Sequence, residues 1–328
     1  MAWEGVLPAD AARDLWLKAR ATGIGSSDIA YVVGMGKPGR GSLATVWQSK
    51  VGEAVPLDMD DLILELGQAA EPVIGARYTK VTGVELRKGS LIRSSERAWQ
   101  LATPDFFRVT DDHGVECKYI NFHASEWGDA GTDEIPDDYI AQTQWQMDAL
   151  GHAWLHVAAI INSKFRIYTL KRDEELCLAL RDEAERFWRD YVLARKRPPM
   201  TGAEADDRYL RHAFKQYREA LIIQGTEVDL ALWKQYLAAV DEAKKRETER
   251  DRLEQMLKVR LGELEAEAID FTSDGRFSWK RCKDTVGPDW EAIAQALRAP
   301  DDLISQHTKV TKAGGRRKHV SRKRVSAR

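Results

Sequence analysis

The sequence predicts an α/β fold in which mixed strands are flanked by helices. A helix-like run spans residues 62–81, and short strand-like segments rich in β-branched and aromatic residues follow it between 84 and 120. A second helix comes next, then strands at 155–161 and 165–170, and then a helix at 173–195. This order of strands and helices favours an α/β sandwich.

The N-terminal segment is predicted to contain two helices with a break between them. Residues 9–20 have the apolar periodicity of a helix, and Gly23 and Gly25 interrupt it. Ser26 or Ser27 is then placed to cap the next helix with a side-chain oxygen.

Arg20 and Ser27 are also compatible with an anion site near this break. The free N–H groups at a helix N-terminus attract phosphate, and a guanidinium adds charge and hydrogen-bond donors. The alternative is that Ser27 is only a helix cap. Both interpretations fit the residues.

The residues with the strongest chemical signal are Asp105, Glu116 and Lys118. Glu116 and Lys118 lie two apart in a strand-like segment at 115–120, so their side chains are expected on one face. The polar residues 111–114 predict a tight turn that would bring Asp105 opposite Glu116. Two carboxylates beside an ammonium are typical of a Mg²⁺ site for phosphodiester hydrolysis. The alternative is a cross-strand ion pair beside a turn aspartate.

Polar residues on otherwise apolar helical segments add to this pattern. Glu71 stands immediately before Pro72 in the first long helix, and Gln142, Gln144 and Gln146 lie in the helix that follows the strand of Glu116. A further acid and an amide donor near the metal are what this chemistry uses to complete a ligand shell and to hold a nucleophile.

Five blocks of residues, spread in order over residues 13–191, resemble the YqaJ-like viral recombinase nucleases, the family of phage lambda exonuclease. The blocks are Arg20 with Gly23-Ile24-Gly25-Ser26-Ser27-Asp28, Leu66-Gly67 with Glu71-Pro72, Thr103-Pro104-Asp105, Glu116-Cys117-Lys118, and Tyr139 with Gln142, Gln144 and Met147. Five blocks in one order are more specific than any single motif. The chain departs from the family where Ser26 replaces a more usual glycine and where Cys117 replaces an aliphatic residue.

The resemblance implies roles for individual residues. Asp105 and Glu116 match the metal-binding acids, Lys118 the catalytic lysine, Glu71 the helix-borne acid and Gln142 a glutamine near the active site. In this interpretation Asp105 bridges two Mg²⁺ ions, and Glu116 and the backbone carbonyl of Cys117 bind one of them. Lys118 helps to activate water.

Arg20 and Ser27 match residues that hold the terminal 5′-phosphate of DNA. The resemblance further implies a restriction-endonuclease-like (PD-(D/E)xK) core, with Mg²⁺ as the cofactor and Mn²⁺ able to substitute. It implies digestion of linear double-stranded DNA ends from 5′ to 3′, for recombination by single-strand annealing. A homo-oligomer, by resemblance a trimer, and a single-strand annealing protein are the implied partners.

Two other functions stay open at this point. One is a structure-specific or restriction-type endonuclease that uses the same metal site. The other is a non-catalytic DNA-binding protein, or an inhibitor of a host process, on the same fold. Intact Asp105, Glu116 and Lys118 argue against the second.

The remaining sequence predicts an appendage to this α/β core. We expect a nuclease domain at residues 1–198, a C-terminal helical extension with a small hairpin at 199–308, and a basic flexible tail at 309–328. Within the extension, residues 203–223 and 228–268 are expected to be helical, residues 271–283 to form the hairpin and residues 290–297 a short helix. The segment at 228–268 is a solvated long helix, a helical hairpin, or a helix that makes a coiled-coil contact with another subunit or a partner. The tail contains nine Lys and Arg and no acid, which leaves 41 basic against 52 acidic residues in the rest of the chain. Any DNA-binding surface of the acidic body must therefore be a local one.

Two function classes are disfavoured by composition. Three widely separated cysteines, Cys117, Cys177 and Cys282, cannot supply the four ligands of an iron–sulfur nuclease. The sequence has no signal-peptide pattern and no apolar run of membrane-spanning length, so we expect a cytoplasmic protein, in a bacterial host, without a membrane partner.

Overall fold

A computed structural model describes residues 3–37, 39–52, 61–121, 124–216, 218–271, 276–279, 297 and 300. The chain divides into two compact units, Met1–Ala220 and Leu221–Arg328. The first unit extends beyond residue 198, since a helix at Glu204–Ala213 packs against the helix at Leu43–Val51. The predicted assignment of the chemistry to residues 1–198 stays a prediction.

The first unit is a mixed α/β structure, as the sequence predicts. Its strands are β1 (Trp3–Leu7), β2 (Leu86–Lys88), β3 (Leu91–Ser94), β4 (Leu101–Ala102), β5 (Phe106–Arg108), β6 (Gly114–Ile120), β7 (Trp154–Ile161) and β8 (Lys164–Lys171). Its α-helices are α1 (Arg13–Arg20), α2 (Ser26–Val32), α3 (Leu43–Val51), α4 (Asp61–Thr82), α5 (Asp137–Leu150), α6 (Glu174–Phe187) and α7 (Glu204–Ala213).

Five strands form the larger sheet, in the order β2-β5-β6-β7-β8. Only β6 and β7 are parallel among these pairs, and helix α5 connects them, which is the crossover that a parallel pair requires. The β5–β6 hairpin pairs Phe106 with Val115, and its turn has Asp112 in the left-handed region at φ 59°. The predicted tight turn is thereby confirmed.

The two faces of the larger sheet are covered by different helices. Val115 and Cys117 of β6 pack with Ile74 and Tyr78 of α4. Helix α5 lies on the opposite face, where its Met147 packs with alternate apolar residues of β7. Because side chains alternate across a strand, Glu116 and Lys118 face α5.

Helix α5 also joins the sheet to the N-terminal helices. Its fully buried Trp145 donates a hydrogen bond to the carbonyl of Ile24 (3.2 Å) and another to that of Leu101 (3.0 Å). Ile24 in turn forms a parallel bridge with Gln100. These interactions hold the segment just before α2 against the strands that lead to Asp105.

Three local expectations differ from the structure. The helix expected at 9–20 begins at Arg13, because the chain before it forms β1, which pairs with β3. The helix expected at 203–223 ends at Ala213. The cap of α2 is Gly25 rather than a serine, and the Asp28 carboxylate accepts the Gly25 N–H at 2.9 Å.

The described part of the second unit contains a 37-residue helix, α8 (Glu227–Glu263), and a small hairpin. Thr226 caps the helix by accepting from the N–H of Asp229, whose carboxylate accepts from Thr226 in return. The hairpin pairs β9 (Ala268–Asp270) with β10 (Arg276–Ser278). The predicted small hairpin is thus present, with its first strand earlier than expected. The coiled-coil contact considered for α8 stays a prediction.

Two other expectations fall on residues outside the described ones. These are the short helix predicted at 290–297, apart from its last residue, and the basic tail at 309–328. Among the helices of the described ranges, none combines the length and the apolarity that crossing a bilayer requires.

Candidate active site

Strand β6 presents Glu116 and Lys118 together on the face covered by α5. The Lys118 ammonium donates to Glu116 Oε1 at 2.7 Å and to Gln142 Oε1 at 3.1 Å. The Glu116 side chain is only 4% exposed. A carboxylate this deeply buried requires donors, and the cluster supplies them.

Asp105 lies next to this pair because of the register of the β5–β6 hairpin. Phe106 faces Val115, so the preceding residue, Asp105, is brought beside Glu116. Its Oδ2 atom accepts the N–H of Cys117 at 2.7 Å. The sequence prediction that Asp105 would lie opposite Glu116 agrees with this placement.

The electrostatics of the three residues are strongly coupled. Burial raises the pKa of Asp105 well above its usual range, and the Glu116 carboxylate raises it further, against the opposing effect of Lys118. Burial by itself would lower the pKa of Lys118, but the charges of Glu116 and Asp105 outweigh it, so this pKa is raised. Lys118 is therefore held as an ammonium, and two acids share a buried space in which they repel each other.

Two glutamines of α5 reach the carboxylate of Glu116. Gln142 donates to Oε1 at 2.6 Å, and Gln146, one helical turn later, donates to Oε2 at 2.8 Å. Gln144 points elsewhere and bonds to the Lys171 carbonyl and the Asp173 N–H. Of the three glutamines in the sequence pattern, the structure thus brings two to the site.

Glu71 of α4 lies at the edge of the same cluster and is paired with Lys88 of β2. The Lys88 ammonium is 2.7 Å from Glu71 Oε2. Burial lowers the pKa of Lys88, but its hydrogen bond to Glu71 and the charges of Glu71 and Asp105 raise it more. Glu71 also contributes to the raised pKa of Asp105, so the three groups lie within electrostatic range of one another.

The Cys117 side chain belongs to the other face of the sheet. It packs in the apolar cluster of α4, and burial raises the pKa of its thiol, with Asp105 and Glu116 adding to the effect. The thiol therefore favours its protonated form, on the face away from Glu116. Cys117 contacts the acid cluster through its backbone, whose N–H donates to Asp105.

The predicted phosphate-binding residues come together at the end of α1 and the start of α2. Arg20 Nη2 donates to Ser27 Oγ at 2.8 Å and to Asp28 Oδ1 at 2.7 Å. Gly25 makes room for the guanidinium, because a Cβ at this position would lie 2.7 Å from Arg20 Nη2. A side chain at position 25 would therefore push the Arg20 guanidinium away from this place.

Lys50 of α3 completes this second cluster. Its ammonium donates to Asp28 Oδ2 at 2.7 Å and to the Arg20 carbonyl at 3.1 Å, and the side chain is only 3% exposed. Arg20 and Lys50 carry two positive charges against the one negative charge of Asp28. The cluster therefore has a net positive charge, as an anion site requires.

The donor set at Asp105 and Glu116 fits a magnesium ion in its chemistry. Burial and the Glu116 carboxylate raise the cost of ionising Asp105. A divalent cation would offset this cost, and Mg²⁺ keeps several waters and needs few protein ligands. Within the described ranges, no group of three or more His, Cys, Asp and Glu side chains has a metal-binding arrangement.

Four residues at these clusters were not assigned a role from the sequence: Lys88, Gln146, Asp28 and Lys50. Gln146 was open to prediction, since it lies four residues after Gln142 and shares its helical face. The roles of Lys88 and Lys50 depend on the packing of segments far apart in sequence, for which the residues give no local signal.

Residues 15–153 match the model of a family described as the YqaJ-like viral recombinase domain. The resemblance predicted from five blocks of residues is thereby confirmed. Asp105, Glu116, Lys118, Arg20 and Ser27 all lie within the matched residues 15–153.

Individual relatives have modest identity to the chain. A Bacillus subtilis (strain 168) protein named uncharacterized protein YqaJ is 26% identical over 277 residues, which are 83% of this chain and 84% of that protein. LHK-Exo, an alkaline exonuclease from Laribacter hongkongensis solved with dAMP, is 21% identical over 61% of this chain and 97% of its own, with a TM-score of 0.44. A phage related exonuclease from Haemophilus somnus 129PT is 12% identical over 52% of this chain and 94% of its own, with a TM-score of 0.41.

Proposed function

We propose that this protein is a Mg²⁺-dependent deoxyribonuclease that digests linear double-stranded DNA from the 5′ end. The observation that carries the proposal is the cluster of Asp105, Glu116 and Lys118 on one face of the β5–β6 hairpin, with Gln142 above it. The YqaJ-like viral recombinase match supports a phage-type nuclease. We assign the hairpin and its flanking helices to a restriction-endonuclease-like, PD-(D/E)xK core.

In this proposal Asp105, Glu116 and the Cys117 carbonyl would hold the magnesium ion. When bound, Mg²⁺ stabilises negative charge on the oxygens of the phosphate under attack. Lys118, held as an ammonium by Glu116, donates to a water or a phosphate oxygen and orients it. Gln142 and Gln146 fix the Glu116 carboxylate, so that it does not turn away from the metal position.

The pocket of Arg20 and Ser27 would bind the terminal 5′-phosphate. A net positive cluster with a guanidinium and a hydroxyl suits a phosphate dianion. Hydrolysis that breaks the bond from phosphorus to the 3′ oxygen leaves a new 5′-phosphate on the shortened strand. Each cut then regenerates the group that the pocket recognises, which favours digestion in the 5′ to 3′ direction.

The test compares duplexes that differ only in the 5′ group. We expect a 5′-hydroxyl end to delay the first cut and to leave the later rate unchanged, because every cut creates a 5′-phosphate. Arg20→Ala should abolish the difference between the two ends, whereas Arg13→Ala, on the same helix, should keep it. Equal delays on both ends in the unmodified protein would remove the phosphate pocket from the proposal.

A trimeric ring and a single-strand annealing partner remain proposals that rest on the family resemblance. The oligomeric state is measured directly by light scattering of the purified chain. A monomer at working concentrations would contradict the ring.

A further inference from the structure

We propose that Ser26 is a positioning residue that links the phosphate pocket to the catalytic acid Glu116. Through Gln146 it makes the hold on Glu116 depend on the phosphate pocket, so that a terminal 5′-phosphate raises the rate of the cut as well as binding the DNA end. The inference rests on the proposed function, and it adds a way in which the two clusters act together.

The side-chain amide of Gln146 is shared between the two clusters. Its Nε2 atom lies 2.8 Å from Glu116 Oε2 and 3.4 Å from Ser26 Oγ. An amide nitrogen carries two protons, so it can donate to both oxygens at once. Gln146 is fully buried, and its Oε1 atom has no hydrogen-bond partner among the described residues. The two bonds of Nε2 are therefore the polar contacts that hold this amide in place.

Ser26 and Ser27 are the first two residues of α2, and they face different surroundings. Ser27 is exposed, and its Oγ atom accepts from Arg20 at 2.8 Å. Ser26 is buried, with an exposed fraction of 5%, and its Oγ atom accepts from Gln146. One helical turn thus carries both the hydroxyl of the phosphate pocket and the hydroxyl that contacts the amide bonded to Glu116.

Helices α2 and α5 pack directly against each other behind this contact. Ile29 and Ala30 of α2 lie in one buried cluster with Ala141 and Trp145 of α5. Coupling between two sites is carried by such packed side chains and by hydrogen bonds. A restraint on the first turn of α2 therefore has a short, buried route to the face of α5 that meets Glu116.

The bond from Gln146 to Ser26 is the longer of the two and can respond to the pocket. Its length of 3.4 Å exceeds the usual N–H···O distance of about 2.9–3.0 Å. Long hydrogen bonds at active sites often tighten when the substrate binds. A phosphate in the pocket restrains the first turn of α2, and we expect the Ser26 bond to shorten and to fix Glu116 in the orientation that holds the metal.

Close packing is the competing explanation, because Ser26 is a small residue buried where α2 meets α5. The family more usually has glycine at this position, and glycine fills the place without a hydroxyl. If size alone matters, alanine serves as well as serine. Ser26→Ala removes only the hydroxyl and therefore distinguishes the two explanations.

The experiment is single-turnover digestion by the full chain at saturating DNA, with duplexes that carry a 5′-phosphate or a 5′-hydroxyl. In Ser26→Ala we expect the first cut at a 5′-phosphate end to slow by about three- to tenfold, the effect of losing one neutral hydrogen bond. The first cut at a 5′-hydroxyl end, and the dissociation constant of the 5′-phosphate duplex, should stay unchanged. Thr143→Val is the matched control and should leave both rates unchanged, since it removes a buried hydroxyl of α5 that bonds to the backbone carbonyls of Tyr139 and Ile140.

A double variant tests whether the effect passes through the amide. Gln146→Leu removes the donor to both Ser26 and Glu116, so it should slow the first cut at a 5′-phosphate end more than Ser26→Ala does. Adding Ser26→Ala to Gln146→Leu should then slow the cut no further, because residues that act through one contact are not additive.

Each outcome bears on a different claim. The role of Ser26 would be overturned, with the phosphate pocket left intact, if Ser26→Ala slowed neither end, slowed both ends equally or weakened DNA binding in place of the cut. Effects of Ser26→Ala and Gln146→Leu that multiply in the double variant would overturn it as well. Equal rates at the two ends in the unmodified protein would remove the phosphate pocket, and the inference with it. Absence of hydrolysis in the unmodified protein would contradict the proposed function itself.

Discussion

Replacement of Asp28 by alanine should destabilise the first unit more than any exposed acid does. The Asp28 carboxylate accepts from Arg20, from Lys50 and from the Gly25 N–H. Its removal leaves the Lys50 ammonium 3% exposed, beside a second cation and with only a backbone carbonyl as acceptor. An unpartnered charge in such a place is costly.

The magnitude follows from these interactions. Breaking a buried ion pair by removing one partner costs about 3–5 kcal/mol. The Asp28 side chain is 16% exposed, which reduces this figure, and the missing acceptor at the start of α2 adds about 1 kcal/mol. We therefore expect Asp28→Ala to lower the free energy of unfolding by about 3–4 kcal/mol, out of a total of roughly 5–15 kcal/mol for a domain.

The order of the variants is a sharper test than the size of one effect. Lys50→Met should cost less than Asp28→Ala, because Arg20 still neutralises the carboxylate. The double variant should be more stable than the sum of the single changes predicts, by about 1–3 kcal/mol, since residues in one ion-pair network couple. Asp182→Ala, an exposed acid of α6, should change stability by less than about 0.5 kcal/mol.

The assay is urea unfolding followed by circular dichroism at neutral pH. Burial raises the pKa of Asp28, but the charges of Arg20 and Lys50 outweigh it and hold the pKa well below its usual range. A carboxyl with a depressed folded-state pKa stabilises the fold above its unfolded pKa and loses this effect on acidification. The reasoning would be refuted by strict additivity of the two single changes at pH 7.

Three further predictions concern other parts of the chain. Deletion of residues 309–328 should weaken DNA binding, while hydrolysis survives at saturating DNA. The slope of the logarithm of the binding constant against the logarithm of the salt concentration should become shallower by about 0.9 for each phosphate that the tail neutralises. An unchanged slope in a filter-binding titration would contradict this prediction. Burial lowers the pKa of His156 to about 4. Because the unfolded chain then binds a proton that the folded chain does not, the free energy of unfolding should fall as the pH drops from about 6.5 towards 4. Urea titrations at each pH should show a smaller fall for His156→Gln. Gln146→Leu removes a hydrogen-bond donor to Glu116 and should reduce kcat. Gln144→Leu, whose side chain bonds to the Lys171 carbonyl instead, should affect stability alone. Equal rates for the two variants in single-turnover assays would count against a role for Gln146.

Much of the candidate site could be predicted because it is local. Glu116 and Lys118 share a face through the two-residue period of a strand, and the polar turn before them determines that Asp105 returns beside Glu116. Arg20 and Ser27 meet across a short break between two helices. Each of these relations spans fewer than fifteen residues, where pattern and turn chemistry are informative.

The parts that could not be predicted depend on long-range packing. Lys88 reaches Glu71 only because β2 pairs with β5, and the sequence does not specify strand order. Lys50 meets Asp28 through the packing of α3 against α2. Gln144 bonds to the backbone of Lys171 and Asp173 because α5 packs beside the end of β8 and the start of α6.

The most direct test of the account is digestion of one DNA as linear, nicked and covalently closed forms in the presence of Mg²⁺, with the polarity read from end labels. The account predicts that the linear form is degraded from its 5′ ends, that the closed circle stays intact, and that Asp105→Ala, Glu116→Ala and Lys118→Ala each abolish degradation while the protein remains folded and binds DNA. Cleavage of the closed circle would favour an endonuclease on the same metal site. Near-native digestion by any of the three variants would contradict the site itself.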